Sequence, residues 1–294
     1  MSFVSSEVRP KITLQTIAEK KDRREPLTCL TAYDYATSRL VDEAGIDMIL
    51  VGDSLAQVVL GYDTTLPVTM EEMLHHVRAV RRGVRRALLI ADMPYASYQA
   101  SASDAVRNAM QFVKSGAEAV KLEGGAKRAD LVERLIEAEV PVMGHIGLTP
   151  QAVNRMGGYK VQGKSVRAVE QLMRDARALD EAGAFAIVLE GIPREVAAMI
   201  TREVKCATIG IGAGPECDGQ VLVINDLVGL TFTTPAKFVR RYGDAAGLIR
   251  GAVEQFRTDV ESGRYPSDEE SYHLPRETAQ AMEILEARKK TLRA

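Results

Sequence analysis

Residues 183–190 read GAFAIVLE: a glycine, an apolar run of strand length, then an acid. The same plan recurs at residues 116–123, GAEAVKLE, and at residues 45–53, GIDMILVGD. The glycine reads as the stop of a helix, and the apolar run as the strand that follows it. A fourth run, residues 87–92 (ALLIAD), also closes on a carboxylate. In a parallel α/β protein the strand C-termini share one face, so Asp53, Asp92, Glu123 and Glu190 are expected to converge there.

Outward from these repeats, apolar runs alternate with helical-period segments from about residue 26 to about residue 257. The expected strands are 27–31, 48–51, 87–91, 119–122, 140–144, 186–189, 207–211 and 220–224. Eight strands alternating with helices favour a closed (βα)8 TIM barrel over an open doubly wound sheet, which uses many of the same signals. Thr69 with Glu72 fits a capping box, and Thr234 before Pro235 fits an N-cap with proline at the first helical position. Val169, Leu172, Met173, Ala176 and Leu179 recur at helical spacing, so one face of that helix packs on the sheet. Residues 13–21 read as a short N-terminal helix closing the barrel bottom, and 276–290 as a charged helix in a C-terminal extension from about residue 260 to 294. Residues 1–294 are expected to form a single barrel domain with this helical tail.

At 294 residues, with 46% apolar and 27% charged side chains, the chain can bury a sizeable core, and a net charge of -2 advertises no surface for nucleic acid. No stretch offers the roughly 20 apolar residues of a membrane span, and the first residues lack the apolar block of a signal peptide, so a cytoplasmic protein is expected. Cys29, Cys206 and Cys217 are odd in number and lack a CxxC spacing, which speaks against a disulfide framework or a zinc site.

Asp53 in VGDS and Asp92 in IADMPY each stand just past an apolar strand, where two hard carboxylates suit Mg²⁺. Taken singly, such acids are more often helix caps or lysine partners. Lys121 and Glu123 flank Leu122, so both point to the same side of their strand, as a substrate-carboxylate binder and a metal contact, or as an internal ion pair. Glu190 follows AIVL, a setting that suits a base for a carbon-bound proton, although a third metal ligand or a helix cap also fits; Pro193 opens the next helix. Of the four histidines only His145 stands at a strand end, in a supporting role. The run IGIGAGP, residues 209–215, fits a phosphate cradle and a tight turn equally well. Residues 55–68 and 151–165 are long enough to be lids over the barrel mouth.

TAYDYA, VGDSLAQVVLGYDTTLPVTM, ADMPYASY, VKLEGG, GHIGLTPQ, GGYKVQGK, VLEGIP and IGIGAG, in this order from about residue 12 to about 260, closely resemble the ketopantoate hydroxymethyltransferase family. The resemblance implies a barrel of the phosphoenolpyruvate/pyruvate type and a large homo-oligomer, usually a decamer. It implies Mg²⁺ on Asp53 and Asp92, with Glu123 a further or water-mediated ligand; substrate contacts at Asp53, Ser54, Asp92 and Lys121; and Glu190 as proton acceptor. The implied partners are a 2-oxo acid, 3-methyl-2-oxobutanoate, and 5,10-methylenetetrahydrofolate as one-carbon donor, in pantothenate biosynthesis. The chain departs from relatives at Asn225, where histidine is frequent, and at EESYHL in the tail. Competing readings are a Schiff-base aldolase with Lys121 as nucleophile, a metal-dependent 2-oxo-acid lyase or phosphonomutase, and a catalytically dead barrel kept as a binding subunit.

Overall fold

In the computed structural model, which describes residues 10–291, eight parallel strands close into a barrel in sequence order. They are β1 (Leu27–Thr31), β2 (Met48–Val51), β3 (Leu88–Asp92), β4 (Ala119–Glu123), β5 (Val142–Gly147), β6 (Ala186–Glu190), β7 (Ala207–Ile211) and β8 (Gly219–Leu222). All eight expected strands are present. β5 starts two residues later than expected and runs on to Gly147, and Ile224, expected in the last strand, starts a helix instead. β8 pairs back onto β1, which removes both sheet edges.

Helix α1 (Leu14–Asp22) precedes the barrel, and α2 (Tyr35–Glu43) follows β1. α3 (Leu55–Val58) and α4 (Met70–Gly83) follow β2, α5 (Ala102–Lys114) follows β3, and α6 (Ala129–Glu137) follows β4. α7 (Val153–Met156) and α8 (Val166–Glu181) follow β5, and α9 (Arg194–Glu203) follows β6. Between β7 and β8 the chain returns through residues 212–218 without a helix. α10 (Ile224–Val228), α11 (Ala245–Glu261) and α12 (Arg276–Thr291) complete the chain. The chain divides into two compact units, one ending at Gly243 and the other beginning at Asp244. The expected barrel end near residue 257 therefore falls inside α11.

The local signals explain most of these ends. Gly45 and Gly116 stop α2 and α5 at φ values of 90° and 101°, a region closed to most side chains. At α4, Thr69 Oγ1 accepts from Glu72 N at 3.2 Å and Glu72 Oε2 accepts from Thr69 N at 2.8 Å, the reciprocal capping box. The helix expected at Pro235 is absent, and the next one starts at Ala245 behind the Asp244 cap. Tertiary contacts override the local signal there: Phe238 lies so close to Gly212 that a Cβ on that glycine would stand 2.6 Å from its ring, and Tyr242 N donates to Leu227 O at 2.8 Å.

Two apolar layers follow from the period of two along each strand. Ile49, Leu89, Val120, Leu122, Ile187 and Leu189 face outward and pack under the helices, where Leu172, Met173, Ala176 and Leu179 of α8 are buried as the helical spacing predicts. Leu27, Met48, Leu88, Ala119, Met143, Ala186 and Ala207 form an inner cluster, joined by Ile12 and Ile17. Helix α1 thus closes the barrel floor, tied down by Lys20 to Asp47 and Lys21 to Asp218, both at 2.8 Å.

Candidate active site

The inward-facing positions change chemistry as each strand rises. On β3 they read Leu88, Ile90, Asp92; on β4 Ala119, Lys121, Glu123; on β5 Met143, His145; on β6 Ala186, Val188, Glu190. The lower positions belong to the apolar inner cluster, and the upper ones line a cavity of about 170 Å³ together with Asp53 and Ser54, just past β2. Asp53, Asp92, Glu123 and Glu190 therefore converge as expected, and Lys121 and His145 stand among them. A larger cavity of about 1190 Å³, beside β8 where no helix follows β7, contains none of the four strand-end acids.

Strand register brings these side chains into contact. Asp92 and Lys121 are cross-strand partners, and Lys121 Nζ donates to both Asp92 oxygens at 2.7 Å. The ion pair open at the sequence level thus forms with Asp92 rather than with Glu123. Asp53 N donates to Asp92 Oδ2 at 3.2 Å. Glu123 and His145 are also register partners; the imidazole spans two acids, with Nδ1 3.4 Å from Glu123 Oε1 and Nε2 3.2 Å from Glu190 Oε2. Neither contact has hydrogen-bond geometry, so both ring nitrogens and Glu123 Oε1 are buried without a hydrogen-bond partner. Ser54 Oγ lies 2.9 Å from the buried Tyr33 hydroxyl.

Burial and mutual charge set the protonation states. Burial pushes the Asp92 carboxyl up, Lys121 pulls it down and Asp53 pushes it up again, leaving it at about 6. Asp53 is raised as well, chiefly by burial, against the pull of Lys121. Burial lowers Lys121, yet Asp92, Glu123 and Asp53 outweigh it and hold the ammonium well above the ordinary lysine range. For His145, burial and the Lys121 charge act downward, but Glu123 and Glu190 hold it at about 9, so the ring is cationic at neutral pH.

Among the described residues no three His, Cys, Asp or Glu side chains stand close enough to cage a metal ion. The mouth nevertheless offers oxygen donors that fit a small hard cation: Asp53, Asp92 and Glu123 are all buried, the first two carry raised pKa values, and Glu123 Oε1 lacks a hydrogen bond. Mg²⁺ tolerates few protein ligands because water and substrate oxygens complete its shell.

Several residues at the site were not singled out in the sequence. Gln151 donates to Asp53, Tyr33 supports Ser54, and Tyr159 and Asp226 line the cavity. Tyr159 comes from the loop 151–165 and Thr65 from the loop 55–68, so both expected lid segments reach the cavity. In the glycine run, a Cβ at Gly214 would meet Arg194 Cβ at 2.4 Å, and Phe238 crowds Gly212; that packing fits the tight turn. None of the three cysteines lines the cavity, and burial pushes Cys29 up to about 12.

The model of the ketopantoate hydroxymethyltransferase family matches residues 11–268. The chain belongs to this family. A protein from Koribacter versatilis, 3-methyl-2-oxobutanoate hydroxymethyltransferase, is 67% identical over 294 residues, covering 100% of both chains. One of the same name from Syntrophomonas wolfei is 51% identical over 91% of this chain and 97% of its own. Membership makes the chain a hydroxymethyltransferase of pantothenate biosynthesis. Among solved structures, phosphonopyruvate hydrolase complexed with oxalate and Mg²⁺ aligns with a TM-score of 0.58 at 16% identity, covering 94% of this chain and 98% of that one. 2,3-Dimethylmalate lyase, of the PEP mutase/isocitrate lyase superfamily, aligns with a TM-score of 0.56 at 16% identity, covering 95% and 98%. These structures share the fold, a closed parallel barrel of eight strands with helices between them.

Proposed function

We propose that this member of the family transfers a hydroxymethyl group from 5,10-methylenetetrahydrofolate to 3-methyl-2-oxobutanoate, giving 2-dehydropantoate and tetrahydrofolate, with Glu190 as base. The observation that carries the reading is the meeting of Asp53, Asp92, Lys121, Glu123, His145 and Glu190 around one small cavity at the strand C-termini. Mg²⁺, held by Asp53 and Asp92 with Glu123 bound directly or through water, would supply the positive charge that polarises the keto group and makes the C3 proton acidic. Phosphonopyruvate hydrolase, solved with oxalate and Mg²⁺ on the same fold, supports that choice by analogy.

Lys121 and Ser54 hold the substrate carboxylate and so place C3 before Glu190. Glu190 takes the C3 proton, and the cationic His145 beside it orients the carboxylate. C3 then bonds to the one-carbon unit as the carbon–nitrogen bonds to folate break; one water is consumed and supplies the hydroxyl. Tyr159 and Thr65, reaching in from the two loops, limit bulk water at the carbanion. Exposed Leu248, Ile249, Val253 and Phe256 on α11 support assembly as a homo-oligomer, for which a decamer is the proposed size.

The Schiff-base alternative fits poorly, because an ammonium held above the ordinary range by three carboxylates is a weak nucleophile. Proton NMR of C3 deuterium exchange in 3-methyl-2-oxobutanoate, without folate, tests the reading. Exchange that needs both Mg²⁺ and Glu190 supports it. Exchange insensitive to EDTA would overturn the metal role, and its absence would overturn the substrate.

A further inference from the structure

Gln151 is buried, and it belongs neither to the acids nor to the bases of the mouth. It follows Pro150 in the turn after β5 and stands at the start of the loop that carries Tyr159 to the cavity. Its amide makes four hydrogen bonds, the full complement of two donors and two acceptor sites. Nε2 donates to Asp53 Oδ2 at 2.9 Å and to Met93 O at 3.0 Å. Oε1 accepts from Tyr98 Oη at 2.7 Å and from Gln99 Nε2 at 3.1 Å. The two donors on one side and the two acceptors on the other allow one orientation of the amide. The backbone N–H of the same residue donates to Glu123 Oε2 at 3.0 Å.

One residue therefore holds one oxygen on each of two carboxylates that line the cavity from different strand ends. The remaining oxygens take no hydrogen bond among the described residues: Glu123 Oε1 faces only His145 Nδ1, at 3.4 Å, and Asp53 Oδ1 has no partner. Tyr98 strengthens the arrangement, because its hydroxyl also accepts from Glu123 N at 3.1 Å. A carboxylate free to rotate would let its second oxygen compete for Lys121 or for water. A carboxylate with one oxygen fixed presents the other in a constant direction.

We propose that Gln151 is a positioning residue that sorts the carboxylate oxygens of Asp53 and Glu123, turning one of each toward a divalent cation and thereby setting the cation affinity of the site. The inference rests on the Mg²⁺-dependent reading above and deepens it. Outer partners of metal-binding carboxylates typically alter affinity or activity by about 10- to 100-fold. Gln151→Met keeps the length and apolar stem of the side chain while removing every amide hydrogen bond.

The test measures Mn²⁺ binding by electron paramagnetic resonance, with Mg²⁺ as competitor, alongside C3 exchange at rising Mg²⁺. In Gln151→Met the cation should bind roughly 10- to 30-fold more weakly, while exchange at saturating Mg²⁺ stays within about threefold of the wild type. A structural role alone would lower the melting temperature and the amount of active protein without moving the Mg²⁺ concentration for half-maximal exchange. Tyr98→Phe, which leaves the ring in place and removes one donor to Oε1, should weaken binding by about threefold to tenfold and serves if Gln151→Met does not fold. Affinity within twofold of the wild type in the folded variant, or exchange lost at saturating Mg²⁺ with affinity unchanged, overturns the proposal. Failure of the wild type itself to bind Mn²⁺ or to exchange C3 would instead overturn the reading on which it rests.

Discussion

The floor and the mouth of the barrel are built from the same strands with the same period of two, yet they are physically opposite. At the floor, Leu27, Met48, Leu88, Met143 and Ala186 meet Ile12 and Ile17 in an apolar cluster. Two residues higher or four, the same inward rows present Asp92, Lys121, Glu123, His145 and Glu190. Burying carboxylates costs free energy that one ammonium and one imidazolium only partly offset, and the raised Asp53 and Asp92 pKa values record the shortfall. The difference teaches a division of labour: the floor and the outer layer stabilise the fold, and the mouth carries a strain of charge that a cation and an anionic substrate can relieve.

Substitutions at the two ends should separate activity from stability. The largest effect is expected at the mouth, where Glu190→Gln should slow C3 exchange by roughly 10²- to 10⁴-fold, the usual contribution of a general base. Its melting temperature, followed by circular dichroism, should stay close to that of the wild type, since the Glu190 side chain is partly exposed. At the floor, Ile17→Ala removes a side chain that is 1% exposed and should cost about 2–5 kcal/mol in urea unfolding. The exchange rate per folded molecule should hardly change. A floor variant that slowed exchange as much as Glu190→Gln would break the comparison.

Acidity should sharpen it. Asp92 titrates at about 6 in the fold, above its ordinary value of 3.8. Because the folded-state pKa is raised, the neutral acid favours the fold: that contribution is complete below about 4 and is lost as pH rises through 6. Metal-free protein should therefore melt at a higher temperature at pH 5 than at pH 7, by a margin that shrinks in Asp92→Asn. A cation needs the carboxylate, so Mg²⁺ affinity should move the other way, falling about tenfold per pH unit below 6. Calorimetric titration across pH 5–7 checks both signs.

Strand ends and helix stops were legible because each rests on a few neighbouring residues. Gly45, Gly116 and Gly183 announced the change from helix to strand, and the acid after each following strand marked the mouth. Lys121 and Glu123 were legible as a same-side pair from alternation alone. The Lys121 partner was not, because register between β3 and β4 decides it, and register is a property of the closed sheet. Gln151 and Tyr33 escaped notice for a related reason: neutral side chains acquire a role only through the groups they meet, and those lie 98 and 21 residues away in sequence. The cap at Thr234 failed because Phe238 and Tyr242 find tertiary partners that a helix there would forfeit.

The smallest expected effect lies where the outer apolar layer meets the mouth. Tyr33 is 3% exposed, its ring belongs to the outer apolar cluster, and its hydroxyl meets Ser54 Oγ at 2.9 Å. Tyr33→Phe keeps the ring and removes the hydroxyl that meets Ser54, so packing is preserved and the cost should be of the order of a hydrogen bond, about 1 kcal/mol. If Ser54 holds the substrate carboxylate, the loss falls on binding: KM for 3-methyl-2-oxobutanoate should rise roughly fivefold, at 1.4 kcal/mol per tenfold, with kcat nearly unchanged. If Ser54 instead only closes the turn after β2, the same 1 kcal/mol or so would appear in urea unfolding with KM unmoved. The split between the two measurements says on which side of the boundary Ser54 works.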